Sequence, residues 1–198
     1  MKYVSIDIET TGLDPKKHQI IEFAAVIEDT VDIKPISELP RIRMLVVHND
    51  YVSPYCLGLH KDLFQKLSKV KVYSWNRIAP DEYTCVPNCL MGLFSEWLRT
   101  NKFDISKNKV LVAGKNFNGF DAKFLNLLVK RIKFHHRALD PTTLFTLPTD
   151  KEPPSLALCA ERAGLEFKGD GYHSALSDAI MVIELLRKGW GLKPKEQL

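Results

Sequence analysis

The stretch Lys2-Tyr3-Val4-Ser5-Ile6-Asp7-Ile8-Glu9-Thr10-Thr11-Gly12-Leu13 decides the reading of this chain. Its side chains alternate: Val4, Ile6 and Ile8 fall on one face of a strand, Tyr3, Ser5, Asp7 and Glu9 on the other. A strand this apolar near the start of a globular chain is expected at the centre of a sheet, packed on both faces. Its second face instead ends in two carboxylates about 7 Å apart. Like charges held that close destabilise each other unless one takes a proton or a cation lies between them. Asp-x-Glu alone fits two readings: a strand end opening into water, or a site built around charge.

Working outward, Thr11 to Pro15 reads as a turn, Ile20 to Ile27 as a nearly continuous apolar strand and Arg41 to His48 as a third strand. Leu57 to Leu67 has helical spacing. Val70 to Trp75 alternates like one arm of a hairpin, while Ile78 to Pro87, with two prolines, looks irregular. Residues 69–88 are therefore read as an insertion or long loop. Leu90 to Leu98 returns to helix, and Val110 to Ala113 is a short buried strand. Helices follow over Phe120 to Ile132, over Ser155 to Ala163 with Gly164 as its stop, and over Ala175 to Lys188. The expected class is α/β: three antiparallel strands, then parallel ones, in a mixed sheet with helices on both faces.

At 198 residues, 45% of them hydrophobic, the chain is expected to form one domain over residues 1–198. It has no apolar run of about 18 residues, the length a membrane helix needs. The opening residues enter a strand with no signal-peptide pattern, and the expected location is the cytoplasm. Four cysteines suggest neither a disulfide framework nor, with Cys85 and Cys89 as the sole close pair, a zinc finger. Net charge is only +4, but Arg99 to Arg137 holds ten Lys or Arg against Asp104 and Asp121. That imbalance fits a solvated helix face or a phosphate-facing surface. On the second reading Lys107, Lys109, Lys115, Lys123 and Arg131 are the expected phosphate contacts.

Two more acids stand where apolar residues belong. Asp121 heads the stripe Phe124, Leu125, Leu128 and Ile132; Asp178 shares a helix side with Ala175, Met181, Val182 and Leu185. Either alone fits a helix-start acid favoured by the dipole. With Asp7 and Glu9 they make four carboxylates from three elements, all aimed at the sheet. Burial and repulsion raise the pKa of such a group, and a shared divalent cation reverses the sign. Ligation by oxygen alone suits Mg²⁺ or Mn²⁺. His173, five residues before Asp178, falls on the loop ahead of that helix, after Gly169 and Gly171. Beside such a cluster it is a candidate general base.

Three segments carry a family resemblance. Asp7-Ile-Glu-Thr-Thr-Gly-Leu13, Gly114-Lys-Asn-Phe-Asn-Gly-Phe-Asp121 and His173-Ser-Ala-Leu-Ser-Asp178-Ala179 resemble, in order, the three motifs of the DEDDh (DnaQ-like) 3′→5′ exonucleases on a ribonuclease H-like fold. The chain departs from the usual second motif by having Lys115-Asn116 in place of His-Asn. The resemblance implies two Mg²⁺ or Mn²⁺ ions held by Asp7, Glu9, Asp121 and Asp178, with His173 taking the proton from the attacking water. It implies that Thr10, Thr11 and Leu13 grip the terminal nucleotide, Thr10 through its backbone and Leu13 as a wedge. Lys115, Asn116 and Phe117 are further candidate substrate contacts; Phe117 and Phe120 fit core positions as well. Tyr73 and Trp75, between Lys71 and Arg77, fit either a stacking platform or hairpin packing, and Asp140 either a supporting residue or a plain turn. The expected activity is release of nucleoside 5′-monophosphates from a free single-stranded 3′ end, with DNA as the substrate. Alternatives are an RNA-trimming or oligoribonucleotide-degrading enzyme, a proofreading subunit with a polymerase partner, and an inactive nucleic-acid-binding module. A homodimer is compatible with the sequence but not indicated by it.

Overall fold

The computed structural model describes residues 1–47, 52–105, 109–128, 132–166 and 174–194. The meander expected at the start is present: β1 (Lys2–Thr10), β2 (Ile20–Asp29) and β3 (Arg41–Val46) pair antiparallel. Helices α1 (Pro54–Leu59) and α2 (Lys61–Leu67) follow, then a hairpin of β4 (Trp75–Ala79) and β5 (Glu82–Cys85). The rest is α3 (Pro87–Thr100), β6 (Val112–Ala113), α4 (Asp121–Leu128), α5 (Thr142–Phe145), α6 (Leu156–Ala163) and α7 (Ala175–Gly189). The strands lie in the order β4-β5-β3-β2-β1-β6, with β5 parallel to β3 and β6 parallel to β1. This is the mixed α/β sheet of the ribonuclease H-like class.

Alternation along β1 sets the layers. Val4, Ile6 and Ile8 join Phe23 and Met44 in a core closed by Leu90, Phe94 and Leu98 of α3 and Phe124 and Leu125 of α4. Tyr3 and Val26 face the other way, against Cys159 and Ala160 of α6 and Met181, Val182 and Leu185 of α7. A smaller cluster joins Ile21 and Leu45 to Leu63 and Leu67 of α2. Among the described residues, no helix is long and apolar enough to cross a membrane.

Strand β2 is buried almost throughout, yet carries Glu22 and Glu28. Each is paired. Arg187 of α7 meets Glu28 at 2.6 Å and donates to the Lys34 carbonyl at 2.8 Å. Arg43 of β3 meets Glu22 at 2.7 Å and Glu82 of β5 at 3.4 Å. Losing one partner of such a pair leaves a buried charge, typically about 3–5 kcal/mol.

Several boundaries differ from those the periodicity predicts. The apolar spacing over Leu57 to Leu67 hides a break at His60, where α1 ends and α2 begins. The hairpin starts at Trp75 rather than ending there, and Ile78 to Pro87 is ordered: Pro80 falls in the tight turn and Pro87 opens α3, where a missing N–H costs nothing. Ile132 lies beyond the last described residue of α4, Leu128, and His48 falls outside the described residues. Ser155 caps α6 by accepting from the Leu158 N–H, and Gly164 ends it in the left-handed conformation, as expected. All four cysteines are free thiols.

Candidate active site

The site forms where β1 stops. Its register against β2 shifts between Glu9 and Thr10, a bulge that ends the ladder and turns the chain. The turn then locks itself. Thr10 Oγ1 donates to the Gly12 carbonyl at 2.8 Å, the Thr11 N–H donates to the Gln19 carbonyl at 2.9 Å, and Thr11 Oγ1 accepts from the Gln19 N–H at 3.0 Å. Gly12 is needed because a Cβ there would meet the His18 ring at 2.5 Å. Leu13, the residue after Gly12, is left 80% exposed.

Two helices bring the other acids. Ser5 Oγ donates to the Ala179 carbonyl at 2.7 Å, which pins the first turn of α7 and with it Asp178 against β1. Asp121 is the first residue of α4, which follows a turn that Asp140 organises. One Asp140 oxygen accepts from the Asn116 N–H at 2.8 Å; the other accepts from the Thr142 N–H and hydroxyl at 2.9 and 2.7 Å. Gly114 lets this turn approach β1, since a Cβ there would lie 2.9 Å from the Ile6 carbonyl oxygen.

Carboxylate oxygens of Asp7, Glu9 and Asp178 lie within 4.8 Å of one another. Asp121 lines the same cavity of about 300 Å³, together with Lys115, Phe120, Ser155 and Leu156. Burial, then the charges of Asp121, Glu9, Asp178 and Glu22, hold the Asp7 carboxyl well above the usual carboxylate range. Burial and the Glu22 charge push Glu9 to about 8. Burial pushes Asp121 to about 7, against the opposing pull of the backbone N–H groups of Asp121 and Ile8. Asp178 is pushed to about 6 by burial and Glu22, with Lys115 acting the other way. Four acids that resist ionisation in one cavity form a donor set made favourable by a hard divalent cation. Among the described residues, Asp7, Glu9 and Asp178 are the group placed to hold one.

Not every residue expected at the site reaches it. Lys115 does. Phe117 does not: it is 1% exposed, packed edge-on to Phe134 at 5.3 Å, and belongs to the core rather than to a substrate groove. The side chains of Thr10 and Thr11 are spent on the turn, leaving backbone as what they offer a ligand. Asn116 takes φ +52°, held by Asp140, and its side chain bears on Gly119. Lys109 lies beside Lys2 and Lys102 instead, around a separate cavity past the start of β1. His173, Lys107, Arg131, Gly169 and Gly171 lie outside the described residues. Two residues escaped the sequence reading. His60, 5% exposed, places Nε2 3.3 Å from Glu9 Oε2. Glu22 pairs in register with Glu9. A lone acid inside the apolar run Ile20 to Ile27 was the available signal for Glu22; a histidine in a helical pattern offered none.

The family model described as exonuclease, RNase_T, matches residues 4–71. An oligoribonuclease of Vibrio cholerae serotype O1 is 26% identical over 192 residues, covering 92% of both chains. Among solved structures, the nuclease domain of 3′hExo, a DEDDh family member bound to rAMP, superposes with a TM-score of 0.65 at 18% identity, over 100% of this chain and 97% of that one. Cell-death related nuclease 4 gives a TM-score of 0.68 at 15% identity, over 96% of this chain and 64% of that one. The structural likenesses establish the fold. The motif that carries Asp7 and Glu9 lies inside the matched exonuclease segment, and the sequence likeness runs on through the acids of α4 and α7. The chain is therefore a 3′→5′ exonuclease that carries the exonuclease segment and resembles the DEDDh exonucleases in its motifs and fold.

Proposed function

We propose that this exonuclease degrades short single-stranded oligoribonucleotides from a free 3′ end and releases nucleoside 5′-monophosphates. The observation that carries the RNA reading is the oligoribonuclease similarity over 92% of both chains. It replaces the DNA preference expected from the sequence, which no similarity supports. The reading treats residues 1–198 as one exonuclease domain to which residues 69–88 are an addition.

Asp7, Glu9, Asp121 and Asp178 are the residues that would hold two Mg²⁺ or Mn²⁺ ions. Bound there, such ions polarise a scissile phosphate, lower the pKa of water and stabilise a leaving 3′ oxygen. The chain's own residues do the rest. Lys115 brings positive charge to the cavity wall, where a phosphate replaces water. The backbone around Thr10, fixed by the turn, offers hydrogen bonds to the terminal sugar. Leu13, exposed beside it, stacks on the last base and blocks a strand that continues past the site. His60 orients the Glu9 carboxylate. His173 is assigned the proton of the attacking water.

The test uses 5′-labelled RNA and DNA of one sequence, a 3′-phosphorylated RNA twin and an RNA circle, each with Mg²⁺, Mn²⁺ or EDTA. Stepwise shortening of the linear RNA, slower loss of the DNA and an intact circle are expected. Cutting of the circle, full activity in EDTA, or faster digestion of DNA overturns the proposal.

A further inference from the structure

A cavity of about 600 Å³ lies apart from the carboxylate site. It lies between α2 and residues 70–73, floored by Ile21, Val46 and Phe64, with Lys71 and Tyr73 at its rim. Tyr73 is 96% exposed, and Trp75, the next aromatic along the chain, is half exposed. Trp75 rests at 6.1 Å on Tyr83 of β5, and the Arg77 guanidinium stands 6.0 Å over the same ring. Arg77 is held by the Ala79 and Pro80 carbonyls. Neither Arg77 nor Lys71 forms an ion pair among the described residues. Of the hairpin's acids, Glu82 turns to Arg43 at 3.4 Å, and Asp81 in the turn forms no ion pair among the described residues. An aromatic surface with Lys and Arg at its edge is the composition that binds a single nucleic-acid strand through bases and phosphates.

Its position joins it to the catalytic end of the sheet. One row of register partners runs Glu9, Glu22, Leu45, Thr84, Asn76, from β1 across to β4. At about 4.8 Å per strand this row is about 19 Å long. Helix α2 spans the gap on one face, with His60 against Glu9 before its first turn and Leu67 lining the cavity in its last. A stacked strand rises about 3.4 Å per nucleotide, so about six nucleotides reach from the carboxylates to the hairpin.

We propose that the hairpin aromatics and the adjoining cavity bind the 5′-proximal nucleotides of an oligoribonucleotide whose 3′ end occupies the carboxylate site. This rests on the RNA reading above and adds a length preference to it. The dinucleotide is too short to reach Tyr73; a seven-residue strand bridges both surfaces. Adenylate oligomers A2, A3, A5, A7 and A10 test this, with AMP release followed by chromatography on the full chain. For the native enzyme KM should fall about tenfold between A2 and A7 and then level off, the gain from stacking about one base. In Lys71→Ser/Tyr73→Ala, both on exposed side chains, KM for A7 should rise toward that for A2. The kcat on every length and KM for A2 should stay as they were. Trp75→Ala should act in the same sense. A native length dependence in these variants overturns the proposal, as does an equal loss on A2 and A7. So does a change of oligomeric state on gel filtration with the length dependence intact, which would make the hairpin a protein contact. Release of no AMP from any length, A2 included, rejects the RNA reading itself and is thereby told apart.

Discussion

A carboxylate that sits in apolar surroundings beside three others is worth most to function and least to stability. Asp178→Asn keeps the shape and removes one charge. Activity should fall by more than the 10–100-fold, to order of magnitude, that an outer-shell partner costs. Melting of the metal-free variant at pH 8 should rise by about 2–4 °C, the shift that about 1 kcal/mol gives in a chain of this size. A variant as active as the native enzyme, or one that melts lower without metal, contradicts the assigned role of Asp178. His60 makes a second case at this scale. Its ring contacts Glu9 at 3.3 Å from a buried position. His60→Ala should weaken Mn²⁺ affinity by about 10–100-fold, measured by calorimetry. His60→Gln, which keeps a donor, should recover part of it; equal Mn²⁺ affinity in all three proteins would make His60 a packing residue.

Elements are held to their spacing by a few close approaches. At Gly114 a Cβ would press on the Ile6 backbone at 2.9 Å, where neither partner is a flexible tip. Gly114→Ala should destabilise by about 1–3 kcal/mol and displace Lys115 from the cavity wall. At Gly92, inside α3, nothing lies within 4 Å of the same added atom. Gly92→Ala should stabilise by about 0.5–1 kcal/mol. Urea denaturation of both proteins checks the pair; like signs would refute the packing argument. Much of this scale could be read from the chain. The alternation of Tyr3 to Glu9 fixed β1 and its faces, Gly164 marked the end of α6, and Asp178 stood out on the stripe of α7. What escaped reading was set by distant partners. The hairpin was misplaced because Val70 to Trp75 alternates without any strand to pair with, while Trp75 to Ala79 is organised by β5. Phe117 fits a groove or a core equally well by type, and only Phe134 decides between them.

For the molecule as a whole, the acid cluster ties stability to pH and to metal. Glu9, Asp121 and Asp178 titrate near 8, 7 and 6 in the fold, against ordinary values of 4.5, 3.8 and 3.8. Groups raised in this way favour the folded state below their unfolded pKa, and that support is lost as pH rises through the folded values. The metal-free protein should therefore melt higher at pH 5 than at pH 8. Mn²⁺ should raise the melting temperature more at pH 8, where the ligands are ionised and binding favours the fold. A melting temperature independent of pH between 5 and 8 without metal would count against a buried cluster. The two ends of α7 bear on the same cluster in another way. Asp178 in its first turn meets β1 at the catalytic end, and Arg187 in its last turn meets Glu28 at 2.6 Å. The helix is thus clamped at both ends to one rigid sheet and acts as a gauge of fixed length. Removing a single residue between Ala179 and Leu186 would turn one end by about 100° relative to the other. No rotamer change could then satisfy both clamps, so α7 can change its outward side chains freely but not its residue count.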